Sequence, residues 1–167
     1  KFIYLPDPYV PLRYTRTELS IREYYNIGND KVLFSHFGAL NYNKGSVELL
    51  KSLEKLPHEV RQKSHFFIAG KVDVEIAEEF YSIFNRIKTD ISITLIDEFC
   101  SYDFIGNLCK ESKAIVMPYK RTSQSSSVIG YASQFGVPVI APHHGLLGSL
   151  VREYELGLTI QDLSPKS

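Results

Sequence analysis

Two stretches of this chain combine residue types that suit the binding of an anion. The first is Gly38-Ala39-Leu40-Asn41-Tyr42-Asn43-Lys44-Gly45-Ser46, between an apolar run and an amphipathic one. With Asn43 as a helix cap, Lys44 falls in the first helical turn. A cation there opposes the helix dipole, a mild cost unless an anion sits nearby. Backbone N–H groups at that terminus and the Lys44 ammonium would together make a phosphate site. The plainer reading of the same residues is a solvated lysine on a tight turn. The second stretch is Thr122-Ser123-Gln124-Ser125-Ser126-Ser127, with five hydroxyls in six positions. It follows the apolar run Ala114 to Met117 and Pro118-Tyr119, and it opens a short amphipathic segment. Alone it reads as a polar surface loop. Its place after a strand and before a helix makes it a candidate ligand loop.

Two further clusters carry polar side chains without a clear chemistry. His143-His144-Gly145 follows Gly136-Val137-Pro138-Val139-Ile140. Adjacent histidines point apart, and no carboxylate or cysteine stands near them at metal-ligand spacing. No metal is expected; one histidine could line a crevice. Asp97-Glu98-Phe99-Cys100-Ser101 could receive a base through backbone groups. Asp97 and Glu98 are poor paired catalysts because neighbouring side chains diverge. A solvated loop with Ser101 as a helix cap explains this cluster as well. His36, His58 and His65 show no pattern. The chain holds no G-x-S-x-G, no Walker phosphate loop, and no G-x-G-x-x-G after the first strand, which argues against a serine hydrolase, a P-loop enzyme and an ordinary NAD fingerprint.

The elements that must position these residues follow from hydrophobic period. Strands are expected at Lys31 to Phe37, His65 to Ala69, Ile91 to Ile96, Lys113 to Met117, Val137 to Ala141 and Leu156 to Ile160. Helices are expected at Asn43 to Leu56 and, after Asp73 as N-cap, along the stripe Ile76, Ala77, Phe80, Ile83, Phe84 and Ile87. Others are expected at Ser101 to Ser112, Ser126 to Phe135 and Leu146 to Arg152. Strands alternating with helices predict an α/β fold. It is a Rossmann-like, doubly wound parallel sheet of about six strands with helices on both faces. In such a sheet the loops at the carboxyl ends of the strands face the ligand crevice.

Composition agrees with one well-buried domain. The chain has 167 residues, of which 44% are hydrophobic and 23% charged. Its formal net charge is zero, without a dense Lys/Arg stripe, which argues against nucleic acid as a partner. No apolar run is long enough to span a bilayer, and no signal peptide opens the chain. Cys100 and Cys109, the two cysteines, form neither a zinc pattern nor a disulfide framework and read as thiols in a reducing compartment. Residues 1–30, proline-rich at the start and lacking an initiator methionine, read as a connector from a missing N-terminal domain. Residues 31–167 read as the functional domain, with the C-terminal end also cut.

From Lys31 to Ile160 the chain resembles the C-terminal, donor-binding domain of a family 4, glycogen-synthase-like glycosyltransferase of the B fold. The shared pattern is a strand ending in Phe37-Gly38, Lys44-Gly45 six residues on, and a strand ending in Ala69-Gly70. Pro118-Tyr119, Ser123-Gln124-Ser125 and Gly136-Val137-Pro138-Val139-Ile140 complete it. Each piece is weak, and their order and spacing are specific together. The resemblance implies a nucleotide-diphosphate sugar as donor substrate, no required cofactor, and a sugar transferred to a glycan or lipid-linked acceptor held by the missing domain. It implies that Lys44 neutralises the donor diphosphate. Gly38, Asn41 and Gly45 would surround it, while Ser123, Gln124, Ser125, Ser126 and Ser127 would hold phosphates and part of the sugar. Glu98, Phe99 and Cys100 would border the base, with Tyr131, His143, His144 and Gly145 beside the crevice. Cleaving a sugar–phosphate bond builds charge on the departing diphosphate, and a fixed cation stabilises it.

The chain departs from that pattern at two places. Ala39 stands where many relatives carry arginine, with Asn41 as the expected source of a polar contact. Ser123 and Tyr131 stand where many carry two acids, the second of which usually holds the ribose. The family-level expectation is bacterial surface polysaccharide synthesis in the cytoplasm, with peripheral contact at the inner face of the membrane. The fragment alone is expected to bind nucleotide without transferring sugar. Two alternatives remain: a degenerate, non-catalytic domain acting through a partner, favoured by Ala39 and Tyr131, and a nucleotide-sugar epimerase, which lacks convincing crevice carboxylates.

Overall fold

The computed structural model describes residue 11 and residues 20–161. Six strands form one parallel sheet: β1 (Val32–Phe37), β2 (Ser64–Ala69), β3 (Ile93–Ile96), β4 (Ala114–Val116), β5 (Val139–Pro142) and β6 (Gly157–Ile160). Their order across the sheet is β3-β2-β1-β4-β5-β6. Every pairing is parallel, with Phe34 opposite both Phe66 and Ala114. The doubly wound sheet expected from the alternation of apolar runs is therefore present.

The connecting helices cover both faces. On one face α2 (Ser46–Glu54) and α4 (Ala77–Ile87) bury Leu50, Leu53, Phe80 and Ile83 against Phe66 and Ile68. On the other, α5 (Tyr102–Glu111), α6 (Ser127–Gln134) and α7 (Gly145–Glu153) bury Leu108, Ala132 and Val151 against Leu33, Ile115 and Val139. The alternation along β1 explains how one strand serves both layers: Leu33 and Phe37 enter one core, and Phe34 packs on the other. Full burial of a Leu or Phe side chain contributes roughly 1.5–3 kcal/mol, so these two layers hold the sheet edges where the loops emerge.

Several local expectations need correction. Helix α2 starts at Ser46, with Gly45 as its N-cap at φ 67, so Asn43 is not the cap and Lys44 is not in the first turn. A left-handed residue cannot continue a helix backwards, and Gly45 thereby separates the Lys44 turn from α2. Asp73 caps a turn, its Oδ1 accepting from the Glu75 N–H at 2.9 Å, and α4 begins only after Ile76. Two short helices lie in segments that carry no clear apolar stripe: α1 (Ile21–Tyr24) and α3 (His58–Lys63).

The proline-rich start of the segment read as a connector lies outside the described residues, and so do residues 162–167. Within residues 20–30, Ile21 and Ile27 are buried in the same core as β1. Glu111, at the end of α5, fixes α1 by accepting the N–H groups of Ile21 at 2.8 Å and Arg22 at 3.0 Å. Among the described residues, no helix is long and apolar enough to cross a membrane.

Candidate functional site

The strand order reverses between β1 and β4: the chain leaves β1 towards β2 on one side and leaves β4 towards β5 on the other. Such a reversal is where open α/β sheets form a ligand crevice beside the carboxyl ends of their strands. The loop after β1 carries Lys44, and the loop after β4 carries Tyr119 and the serines. Several contacts join the two segments that follow these strands. The Lys120 N–H donates to the Asn43 carbonyl at 3.0 Å. The Lys120 Nζ pairs with Glu48 Oε1 at 2.6 Å and lies 3.5 Å from the centroid of the Tyr42 ring. Gly45 packs so closely on Pro118 that a Cβ would come within 2.9 Å of the Pro118 carbonyl carbon.

Lys44 is the centre of this crevice. Its Nζ stands 3.4 Å from Ser126 Oγ and 3.8 Å from the centroid of the Tyr119 ring. Among the described residues no ion pair joins it to a carboxylate. Burial pushes its pKa down to about 8. An ammonium partly withdrawn from water, with an aromatic face and a hydroxyl as its neighbours, is under-compensated, and an anion would supply the missing charge. Tyr119 is buried beneath it, its hydroxyl 3.4 Å from Ser126 Oγ, and burial outweighs that contact to push the phenol up to about 12.

Asn41 shapes the same turn: its Oδ1 accepts the Lys44 N–H at 3.0 Å. That oxygen is thus engaged in holding the lysine backbone, a different contact from the expected one to a ligand. Gly38 leaves β1 at φ 108, and its N–H donates to the Ala69 carbonyl at 3.0 Å.

The residues of the hydroxyl loop differ in their surroundings. Ser126 is the N-cap of α6 and accepts the Val128 N–H at 3.4 Å. The buried Ser125 Oγ has no hydrogen-bond partner among the described residues. Ser123, Gln124 and Ser127 are exposed. A buried hydroxyl left unpaired costs about 1–3 kcal/mol, so Ser125 is poised to bond whatever enters beside α6. Thr122 is buried, and its carbonyl accepts the Leu147 N–H of α7 at 3.2 Å. Gly145 fits against it at φ 72, where a Cβ would lie 2.7 Å from the Thr122 Cβ.

The other candidates lie apart from Lys44. The His143 Nδ1 is 2.9 Å from Thr159 Oγ1 on β6, so this ring is engaged with the sheet rather than with the crevice centre. His144 is exposed at the N-cap of α7 and caps no backbone N–H with its side chain. Glu98, Phe99 and Cys100 follow β3, the edge strand. Glu98 is exposed, and Phe99 is 87% exposed. Cys100 is half-buried, and burial, with the Glu98 charge, pushes its thiol up to about 11. Tyr131, on the second turn of α6, meets the Tyr102 ring at 6.4 Å between centroids.

Asp97 serves structure. Its Oδ1 accepts the Val72 N–H at 2.8 Å and lies 3.3 Å from Lys71 Nζ, while Oδ2 accepts the Tyr81 hydroxyl. Burial opposes its ionisation, but these partners outweigh burial and hold its carboxyl below the usual range. Among the described residues, no three His, Cys, Asp or Glu side chains group to hold a metal ion.

Sequence reasoning passed over one buried group at the crevice. His36 bridges β1, β4 and α2: its Nδ1 is 2.9 Å from the Val116 carbonyl oxygen and its Nε2 is 3.0 Å from Ser46 Oγ. Burial lowers its pKa to about 4, and the Lys44 charge adds to that effect. The signal was available, because a histidine inside an otherwise apolar strand must find hydrogen-bond partners.

Solved structures share this architecture at low identity. WaaG, a glycosyltransferase involved in lipopolysaccharide biosynthesis, aligns with TM-score 0.68 and 16% identity over 83% of this chain and 36% of its own. HepE from Anabaena, in complex with UDP, aligns with TM-score 0.71 and 17% identity over 87% of this chain and 38% of its own. The C-terminal domain of LpcC, a group 1 family glycosyl transferase from Francisella tularensis, aligns with TM-score 0.64 and 16% identity. That match covers 93% of this chain and 79% of the LpcC domain. The chain thus spans about a third of the length of WaaG and HepE. At these identities the likeness establishes the fold, one half of a B-fold glycosyltransferase. No curated protein sequence matches the chain. The family model "Glycosyl transferases group 1" matches residues 18–167, which include every strand and the whole β1/β4 crevice, and the chain belongs to that family.

Proposed function

We propose that this chain is the donor-binding domain of a glycosyltransferase, holding a nucleotide-diphosphate sugar at the β1/β4 crevice for transfer to a glycan or lipid-linked acceptor. The observation that carries the reading is Lys44: a half-buried ammonium without a carboxylate partner among the described residues, 3.4 Å from the serine that caps α6. The diphosphate would lie against Lys44, with the α6 terminus and the unpaired Ser125 hydroxyl as donors. As the sugar–phosphate bond breaks, its electron pair stays on the departing phosphate oxygen. The Lys44 ammonium and the helix N–H groups stabilise that charge where it develops.

Similar structures agree in class: HepE is in complex with UDP and with UDP-glucose, and WaaG is involved in lipopolysaccharide biosynthesis. On this reading the acceptor is held by a second domain, and sugar transfer requires both. Surface polysaccharide synthesis in a bacterial cytoplasm, with the membrane reached through the acceptor domain, is the setting it implies.

The test is calorimetric titration of the chain with UDP, GDP, ADP and CMP, repeated on Lys44→Ala. Saturable binding of one nucleoside diphosphate, weakened at least tenfold by the substitution, supports the donor site and names the base. Failure of all four, or binding that ignores Lys44, overturns it and favours a non-catalytic domain.

A further inference from the structure

We propose that His36 is a positioning residue of this site: its neutral imidazole, through the Ser46 hydroxyl, fixes the first turn of α2 beside Lys44. The inference rests on the donor-site reading, and it assigns a task to a buried group that the reading leaves idle.

The argument starts from the donors and acceptors. A carbonyl oxygen only accepts, so the 2.9 Å contact to Val116 places the proton on Nδ1. Nε2 is then an acceptor, and at 3.0 Å it takes the Ser46 hydroxyl proton. Of the two neutral tautomers, only the Nδ1–H form satisfies both contacts. A protonated ring would offer a second N–H, and it would bring a like charge towards Lys44, whose field already disfavours that state. Two other charged groups sit at the rim of this region, on α2 and in the loop after β4. Glu48 and Lys120 pair with each other at 2.6 Å and leave the imidazole without a counter-ion of its own.

Location gives this hydrogen-bond chain its consequence. Val116 is on β4, His36 on β1, and Ser46 is the first residue of α2. The chain therefore ties the two strands of the reversal to the helix that follows the Lys44 turn. Helix α2 lacks a side-chain cap, because its N-cap is Gly45. The first residue of the helix is instead held from beneath. Ser46 and His36 are both buried, so neither bond is exchanged with water. Removing the Ser46 hydroxyl frees the helix start to shift relative to Lys44, and it leaves Nε2 unpaired.

Inorganic pyrophosphate is the probe, because it carries the charge common to every donor nucleotide and is indifferent to the base. The chain is labelled with 15N-histidine and titrated with pyrophosphate, followed by nuclear magnetic resonance and calorimetry. The His36 signals should report the Nδ1–H tautomer and shift as pyrophosphate binds. Ser46→Ala should weaken binding about three- to tenfold, the worth of one buried hydrogen bond. His36→Leu should weaken it at least as much; if that variant does not fold, Ser46→Ala and the histidine signals still decide. Pyrophosphate binding that depends on Lys44, with unmoved His36 signals and unchanged affinity in Ser46→Ala, overturns the proposal alone. Absence of pyrophosphate binding by the unaltered chain overturns the donor-site reading and this proposal together.

Discussion

Gly45 and Pro118 touch across the crevice: a Cβ on Gly45 would lie within 2.9 Å of the Pro118 carbonyl carbon, and Gly45 is itself left-handed at φ 67. Both conditions select glycine. Gly45→Ala pays roughly 1–2 kcal/mol for the left-handed backbone and roughly 1–3 kcal/mol more for the overlap. The expected outcome is a chain destabilised by about 2–5 kcal/mol, with the Lys44 turn pushed from the β4 loop and nucleotide binding lost. Urea denaturation with an unchanged slope checks the first part, and calorimetry the second. A fully stable Gly45→Ala chain would mean that the two loops are not joined as described.

If the donor-site reading holds, Lys44 would couple ligand binding to proton uptake. Its pKa is lowered to about 8 by burial, and an anion beside it would raise it again. Titration near pH 8 in buffers of different ionisation heat should show uptake of a fraction of a proton on binding, absent in Lys44→Met. Affinity should fall as the pH rises past 8.

Stability of the ligand-free chain should move the other way. The folded pKa lies below the unfolded value, so the unfolded chain holds more protons between about 8 and the ordinary lysine range of about 10.4. The cost of burying the charged form is fully present below pH 8 and is relieved as the pH rises through that window. For this group alone, Lys44→Met should remove an upward slope of stability with pH between 8 and 10. An identical slope in both proteins would show that the ammonium is not withdrawn from water.

If the donor-site reading holds, Phe99 would separate base recognition from phosphate recognition. At 87% exposed it contributes little to packing, so Phe99→Ala should leave the melting temperature within a degree or two. Stacking on an aromatic ring is worth about 1–3 kcal/mol per base, so nucleotide affinity should drop about fivefold or more. Pyrophosphate affinity should not change. Equal nucleotide affinity in Phe99→Ala would remove this loop from the base site.

Glu111 holds the start of the described chain. Glu111→Ala removes the carboxylate that accepts the Ile21 N–H and shares the Arg22 N–H with the Ser20 Oγ, and it should cost about 1–2 kcal/mol, as loss of a helix cap does. Hydrogen exchange should quicken first at these two amides. Unaltered exchange there would show that the Ser20 cap and Ile21 burial hold α1 without Glu111.

Much of this protein was legible from residue order. Apolar runs such as Val32 to Phe37 and His65 to Ala69 must pair and be covered on both sides, and the helical stripe from Ile76 to Ile87 supplies one cover. Right-handed crossovers leave few ways to arrange six such runs. The positions of Lys44 and the serines after strands followed from the same periods. Period could not locate the start of α2, because Asn43 and Gly45 both make acceptable helix starts. The approach to Pro118, a residue more than seventy positions away, selects Gly45. Nor could it tell which polar groups meet. Lys44 finds Ser126, His36 finds Val116 and Ser46, and His143 finds Thr159 rather than the crevice. Local propensity decides where a strand or helix can form. Which side chains lose water together, and so which charge is left without a partner, is decided only when distant segments are brought into contact.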